Sequence, residues 1–203
     1  MIYFDGIIES LQKSGGISVY FQEILQRLAR DNKPFAVGTY GGGSILSKVS
    51  DGCASDRELT MLPRVLERFR SAPTPKNAKV FHSSYYRVPD NKVIPSVVTV
   101  HDFTYERIIG GFRSKAHSYQ KFRAIKKSDT VICVSHSTKC DLLEFVEGID
   151  PDKVHVVHNG VGDAFRVLNS LGEDKSKMQR PYVLYVGARG GYKNFALALK
   201  VLR

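Results

Sequence analysis

Four short runs of β-branched residues, each broken off by polar ones, constrain the fold of this chain more than any other feature. Val80-Phe81 leads into His82-Ser83-Ser84, and Val97-Val98-Thr99-Val100 leads into His101-Asp102. Val131-Ile132-Cys133-Val134 leads into Ser135-His136-Ser137, and Val154-His155-Val156-Val157 into His158-Asn159-Gly160. Such runs suit strands buried on both faces of a parallel sheet. Helical stretches separate them: a basic one over about Ser114–Lys127, and a second over about Lys139–Val146 with Ser137 or Thr138 as N-cap. Strands alternating with helices predict an α/β fold with a doubly wound parallel sheet. In such sheets ligands bind outside the carboxyl ends of the strands, so the polar tails mark the expected functional edge.

The flanking segments extend the pattern. Ile2-Tyr3-Phe4 reads as a first strand, and residues 17–30 as an amphipathic helix with Ile17, Tyr20, Phe21, Ile24, Leu25 and Leu28 on one face. Phe35-Ala36-Val37 reads as a second strand ended by a Gly41-Gly42-Gly43 turn, with a further helix near Leu62–Phe69. Residues 169–180 are polar and charge-rich, which predicts a linker. Beyond it Tyr182–Val186 reads as a new buried strand, Gly187–Tyr192 as a glycine-bearing loop, and Asn194 onward as a helix. The expected organisation is one domain over 1–168, a linker over 169–180 and the first βα unit of a second domain over 181–203. A length of 203 residues fits that division.

Composition narrows the class. Hydrophobic residues make up 42% and charged residues 25%, as in ordinary globular chains. No apolar run approaches the ~18 residues that span a bilayer, and Asp5 and Glu9 argue against a secretory signal. Cys53, Cys133 and Cys140 show no paired spacing and are expected to be reduced thiols, which points to the cytoplasm. The net charge of +10 suits an anionic partner. No acid lies between Glu106 and Asp129, whereas Arg107, Arg113, Lys115, Lys121, Arg123, Lys126 and Lys127 all do. That basic stretch is either a solvated helix face or a docking face for an anionic surface. Nucleic acid is disfavoured, because aromatics do not interleave with the basic run as a stacking platform requires.

Several residues have chemical potential at these places. Gly15-Gly16 separates a strand from a helix, either as a tight turn or as a loop that lets backbone approach a phosphate. His82 and His101 end strands on the ligand edge, where imidazole can hydrogen-bond a hydroxyl or act as acid or base. His117 is expected on the surface and His155 within a strand, while His158-Asn159-Gly160 is either a turn or part of the edge. Cx₂C, HExxH and GxSxG patterns are absent, so metal hydrolysis and serine acyl transfer have no support. Gly187 to Asn194 feeds glycines, Arg189 and Lys193 into a helix start, an arrangement suited to a diphosphate. It is not a Walker motif, because no Ser or Thr follows Lys193.

Taken in order, GGISVYFQEILQRL, VVTVHDF, VICVSHSTKCDLLEF, KVHVVHNGV and YVGARGGYKNF resemble the N-terminal half of retaining GT-B glycosyltransferases of family 4. The likeness is greatest to bacterial enzymes of O-antigen and other surface-polysaccharide assembly. It implies two Rossmann-like domains facing a cleft, the first binding acceptor and the second binding the nucleotide sugar, of which only the start lies in this chain. It implies that Gly15 and Gly16 approach donor phosphates and that His101 is the catalytic-centre residue contacting the transferred sugar. Lys193, with Gly187 and Arg189, would clamp the diphosphate, although Ala188 stands where the family often has arginine. His82, Asp102, Ser135 and Asn159 would line the acceptor and sugar cleft. No cofactor or metal is implied beyond the nucleotide-sugar donor. The expected reaction moves a hexose, mannose among the candidates, to a lipid-linked saccharide with retention. Lys121, Arg123, Lys126 and Lys127 would face anionic lipid. The alternative is a catalytically incomplete module that binds saccharide, membrane or a partner chain.

Overall fold

The computed structural model describes residues 1–12, 15–40, 57–59, 64–163, 165, 181–187 and 189–202. Among the described residues seven strands form one sheet: β1 (Ile2–Asp5), β2 (Phe35–Tyr40), β3 (Arg57–Leu59), β4 (Val80–Ser83), β5 (Ser96–Val100), β6 (Thr130–Cys133) and β7 (Val154–Val156). Their order is β3-β2-β1-β4-β5-β6-β7, and every pairing is parallel. The doubly wound α/β expectation therefore holds. The chain turns outward in both directions from β1 and β4, so the topological switch point lies between them, with Phe4 opposite His82.

Successive residues of a strand point to opposite faces, and the core divides accordingly. Tyr3 joins Ala36, Phe81, Ala72 and Ile94 in one cluster, whereas Phe4 joins Phe35, Val37, Phe21 and Leu25 in another. The latter two residues come from the Gly16–Arg30 helix. Truncating a side chain as buried as Phe21 to alanine costs about 3–5 kcal/mol. A third cluster packs Val98, Val100, Val131 and Cys133 against Ala124 and Ile125 of the Gly111–Lys127 helix and Leu142 of the His136–Phe145 helix. Ser135 caps the latter helix by accepting from the Thr138 amide at 3.1 Å, in place of the expected Ser137 or Thr138. A five-residue π-helical turn, Tyr105–Ile109, precedes the Gly111–Lys127 helix.

Contacts divide the chain into Met1–Gly160 and Val161–Arg203. In the second unit, Tyr182–Val186 is not a strand, and all of it but Tyr185 is exposed. A parallel strand forms only beside another strand, and the described strands all lie within residues 2–156. The Phe195–Val201 helix does form. The Gly41–Gly43 turn, Cys53, residues 62–63 of the expected helix, the 169–180 linker and Ala188 lie outside the described residues. Cys133 and Cys140 are free thiols, the first buried and the second exposed.

Candidate functional site

Because all seven strands run the same way, the segments that follow them leave from one edge of the sheet. The segment after β1 is drawn against β2 and β4. Gly6 donates to the Gly38 carbonyl at 2.9 Å, and a Cβ at Gly6 would come within 2.7 Å of that oxygen. Ile8 donates its amide to Ser84 Oγ at 3.1 Å. These contacts lead the chain to Gly15, and the helix starts at Gly16. Among the described residues a Cβ at Gly16 would meet nothing within 4 Å, whereas one at Gly15 would meet the Gln12 side chain first.

His101 follows β5 directly. Its ring stands edge-on to Tyr20, centroids 5.1 Å apart and planes at 87°, which joins it to the helix that Gly16 begins. Its carbonyl accepts from Thr138 Oγ1 at 3.3 Å, tying it to the helix after β6. Its Nε2 is buried and has no partner among the described residues. Burial lowers its pKa to about 4, against the opposing pull of the Asp102 carboxylate. At neutral pH the ring is therefore an uncharged donor or acceptor. Asp102 is exposed, accepts from the Thr104 amide at 3.1 Å, and receives Lys121 Nζ on its carbonyl at 2.9 Å.

His82 is not at the strand's polar tail but within β4, and its side chain is inside the fold. Its ring lies 5.3 Å from those of Phe4 and Phe21, and Nε2 is 2.9 Å from Thr99 Oγ1. Burial, with His101 nearby, lowers its pKa to about 4. It supports the layer beneath His101 rather than lining open surface, which corrects its expected place. Ser135 is occupied as a helix cap, and Asn159 is exposed just after β7. His158 lies near His136, ring centroids 5.5 Å apart.

Two further expectations are overturned. Lys121 does not face outward: it is fully buried and bonds Glu106 Oε2 at 2.8 Å, because the stripe Ser114, His117, Gln120, Lys121, Ala124 and Ile125 is the helix's inner face. His117, expected on the surface, is likewise buried, stacked on Tyr105 at 4.2 Å, while His155 on the edge strand is exposed. Of the other proposed lipid-facing cations, Arg123 is half-buried and Lys126 and Lys127 are exposed.

The residue reading missed an ion cluster at this same edge. Arg87 is buried, 3.1 Å from Glu67 and 3.6 Å from Asp5 at the end of β1. Its Nε also donates to the Arg70 carbonyl at 3.2 Å. Burial raises the Asp5 pKa, with Arg87 opposing. Tyr20 was missed too, since its three- and four-residue spacing reads as ordinary core.

In the unit 161–203, Gly187 has φ +143°, and a Cβ there would lie 3.2 Å from Lys193 Nζ. The lysine thus folds back over the glycine. Arg189 stacks on Phe195 at 5.5 Å. Among the described residues no group of three or more His, Cys, Asp or Glu side chains suits a metal ion.

Comparison with known proteins bears on the fold and the family. The chain is 33% identical to the alpha-maltose-1-phosphate synthase of Mycolicibacterium smegmatis over 110 residues, 46% of this chain and 27% of that protein. Its fold is similar to Anabaena HepE, crystallised with UDP and glucose, with a TM-score of 0.51, 13% identity, and coverage of 79% of this chain and 44% of that one. The chain thus spans well under two thirds of either protein. The sequence profile described as Glycosyltransferase Family 4 matches residues 14–165, most of the chain, so the protein belongs to glycosyltransferase family 4.

Proposed function

We propose that this chain forms the acceptor-side domain, over 1–168, of a hexosyltransferase that takes its sugar from a nucleotide diphosphate donor. Residues 169–180 link it to the start of the donor-binding domain over 181–203. The observation that carries this reading is His101: a neutral imidazole at the end of β5, with a buried Nε2 that no described protein group occupies. A hydroxyl of a bound sugar would satisfy that atom, as buried polar atoms require. The family membership and the UDP and glucose held by Anabaena HepE favour a nucleotide-sugar donor.

In this reading Gly15 and Gly16 let the donor phosphates approach the first turn of the helix, whose free N–H groups favour an anion. Gly187 and Lys193 would supply a cation to the leaving diphosphate, with Arg189 beside them. Asp102, Ser135 and Asn159 would lie along the acceptor side, with His82 as support under His101. Retention follows if acceptor and leaving group share one sugar face, the departing phosphate taking the acceptor proton. The protein's task is then positioning and stabilising leaving-group charge, with no metal or cofactor. The acceptor is a lipid-linked saccharide at the inner face of the plasma membrane, in surface-polysaccharide or lipopolysaccharide assembly.

The test is release of nucleoside diphosphate from UDP-glucose and GDP-mannose, by this chain alone and by the chain continued with a donor-binding domain. Turnover is expected only from the continued chain. Transfer by the 203 residues alone would contradict the acceptor-side assignment.

A further inference from the structure

The Gly111–Lys127 helix turns a second, outward stripe away from the sheet. Phe112 is 88% exposed and Tyr119 64% exposed, with Lys115, Ala116, Lys126 and Lys127 exposed along the same side. At three- and four-residue spacing these positions share one face. Just before it, Ile108 and Ile109 of the π-helical turn are 61% and 49% exposed. Gly110 and Gly111, with φ of +62° and +84°, turn the chain between the isoleucines and Phe112. Three large apolar residues thus cluster within five positions around one turn, next to a helix roughly 25 Å long.

The unpaired charges on the outward stripe of the helix have one sign. The acids nearest in sequence are consumed internally: Glu106 holds Lys121 and accepts from Ser118 Oγ at 2.7 Å. Arg107 is paired with Asp141 and Glu144, so it adds no free positive charge. Lys115, Lys126 and Lys127 have no ion pair among the described residues and no acid on their own helix. Exposed apolar anchors flanked by unpaired cations, with an aromatic carrying a polar tip, are what an interfacial helix presents to a bilayer surface. A nucleic acid would use the cations but not the isoleucines.

We propose that Ile108, Ile109 and Phe112 form an apolar tip that enters the headgroup region of an anionic lipid surface, with Lys115, Lys126 and Lys127 held against the lipid charges. The inference rests on the reading of a lipid-linked acceptor. It replaces Lys121 with residues that are available, and it locates the contact on the segment that continues from His101-Asp102. Vesicle binding requires neither donor nor acceptor sugar, so it can fail while sugar transfer stands, and the reverse.

The experiment is sedimentation of the full chain with phosphatidylcholine vesicles, with and without about one third phosphatidylglycerol. Anionic vesicles are expected to bind at least tenfold more tightly. Phe112→Ser combined with Ile108→Ser should lower that affinity about tenfold or more at unchanged charge. Lys126→Ser with Lys127→Ser should lower it roughly tenfold to thirtyfold and flatten its dependence on salt. All these side chains are exposed, and circular dichroism checks that each variant is folded. Equal binding to neutral and anionic vesicles, full binding by the Phe112 variant, or binding to duplex RNA without binding to vesicles would each overturn the proposal.

Discussion

Lys121 Nζ and Glu106 Oε2 meet at 2.8 Å in a place closed to water, the lysine under the rings of Phe103 and Tyr86. Burial lowers the lysine's pKa, with Glu106 opposing. Such a pair contributes little against an apolar substitute but costs much when halved. Lys121→Met should therefore destabilise the fold by about 3–5 kcal/mol, and pairing it with Glu106→Gln should recover part of that loss. Urea denaturation of the two single variants and the double variant measures this coupling.

Arg87 presents the same situation with two acids. Removing its charge leaves Asp5 and Glu67 buried side by side at the carboxyl edge of β1. Arg87→Met is expected to cost about 3–5 kcal/mol in chemical denaturation. A loss within a few tenths of a kcal/mol would mean that the cluster is not buried in solution.

Three histidines carry a pH signature. His82, His101 and His117 have folded pKa values lowered to about 4, from an ordinary 6.5, by burial first. Between those values the unfolded chain binds protons that the folded one refuses. Stability is thus fully present above pH 6.5 and falls as the pH drops towards 4, by on the order of 1 kcal/mol per pH unit for each imidazole. Comparing urea midpoints at several pH values, His117→Gln should flatten this slope, and an unchanged slope would refute the buried placement.

The glycines separate structure from chemistry. Gly6→Ala pushes a Cβ to 2.7 Å from the Gly38 carbonyl oxygen, a backbone atom, so about 1–3 kcal/mol should be lost. At Gly16 a Cβ meets no described atom within 4 Å, and alanine is a better helix former than glycine. Gly16→Ala should therefore leave the melting temperature level or raised. If donor phosphates approach this backbone, the same variant lowers kcat/KM for the nucleotide sugar in the continued chain.

Much of the sheet was legible because buried parallel strands leave an unambiguous mark. The runs at Val97–Val100 and Val131–Cys133 fall where β5 and β6 lie, and the 17–30 helix starts only one residue early. What the residues hid was orientation. Lys121 belongs to an acid-free run, but its partner Glu106 sits fifteen positions back, across a turn that no periodicity announces. His82 ends an apolar run by residue type, yet pairing with β5 carries the strand past it, into the core. Tyr182–Val186 has strand composition, and composition supplies no neighbour to pair with. Of the candidate site, His101 and Gly16 were visible as strand-end and helix-start residues. The Tyr20 contact that joins them was not, since it is a long-range packing event.

The central claim is that His101 works at the reacting sugar, and kcat decides it. In the chain continued with a donor-binding domain, nucleoside diphosphate release from the preferred donor is measured for the native sequence and for His101→Ala, with folding checked by circular dichroism. A fall of roughly 10²–10⁴-fold in kcat is expected. Native turnover by a folded His101→Ala variant would contradict the account.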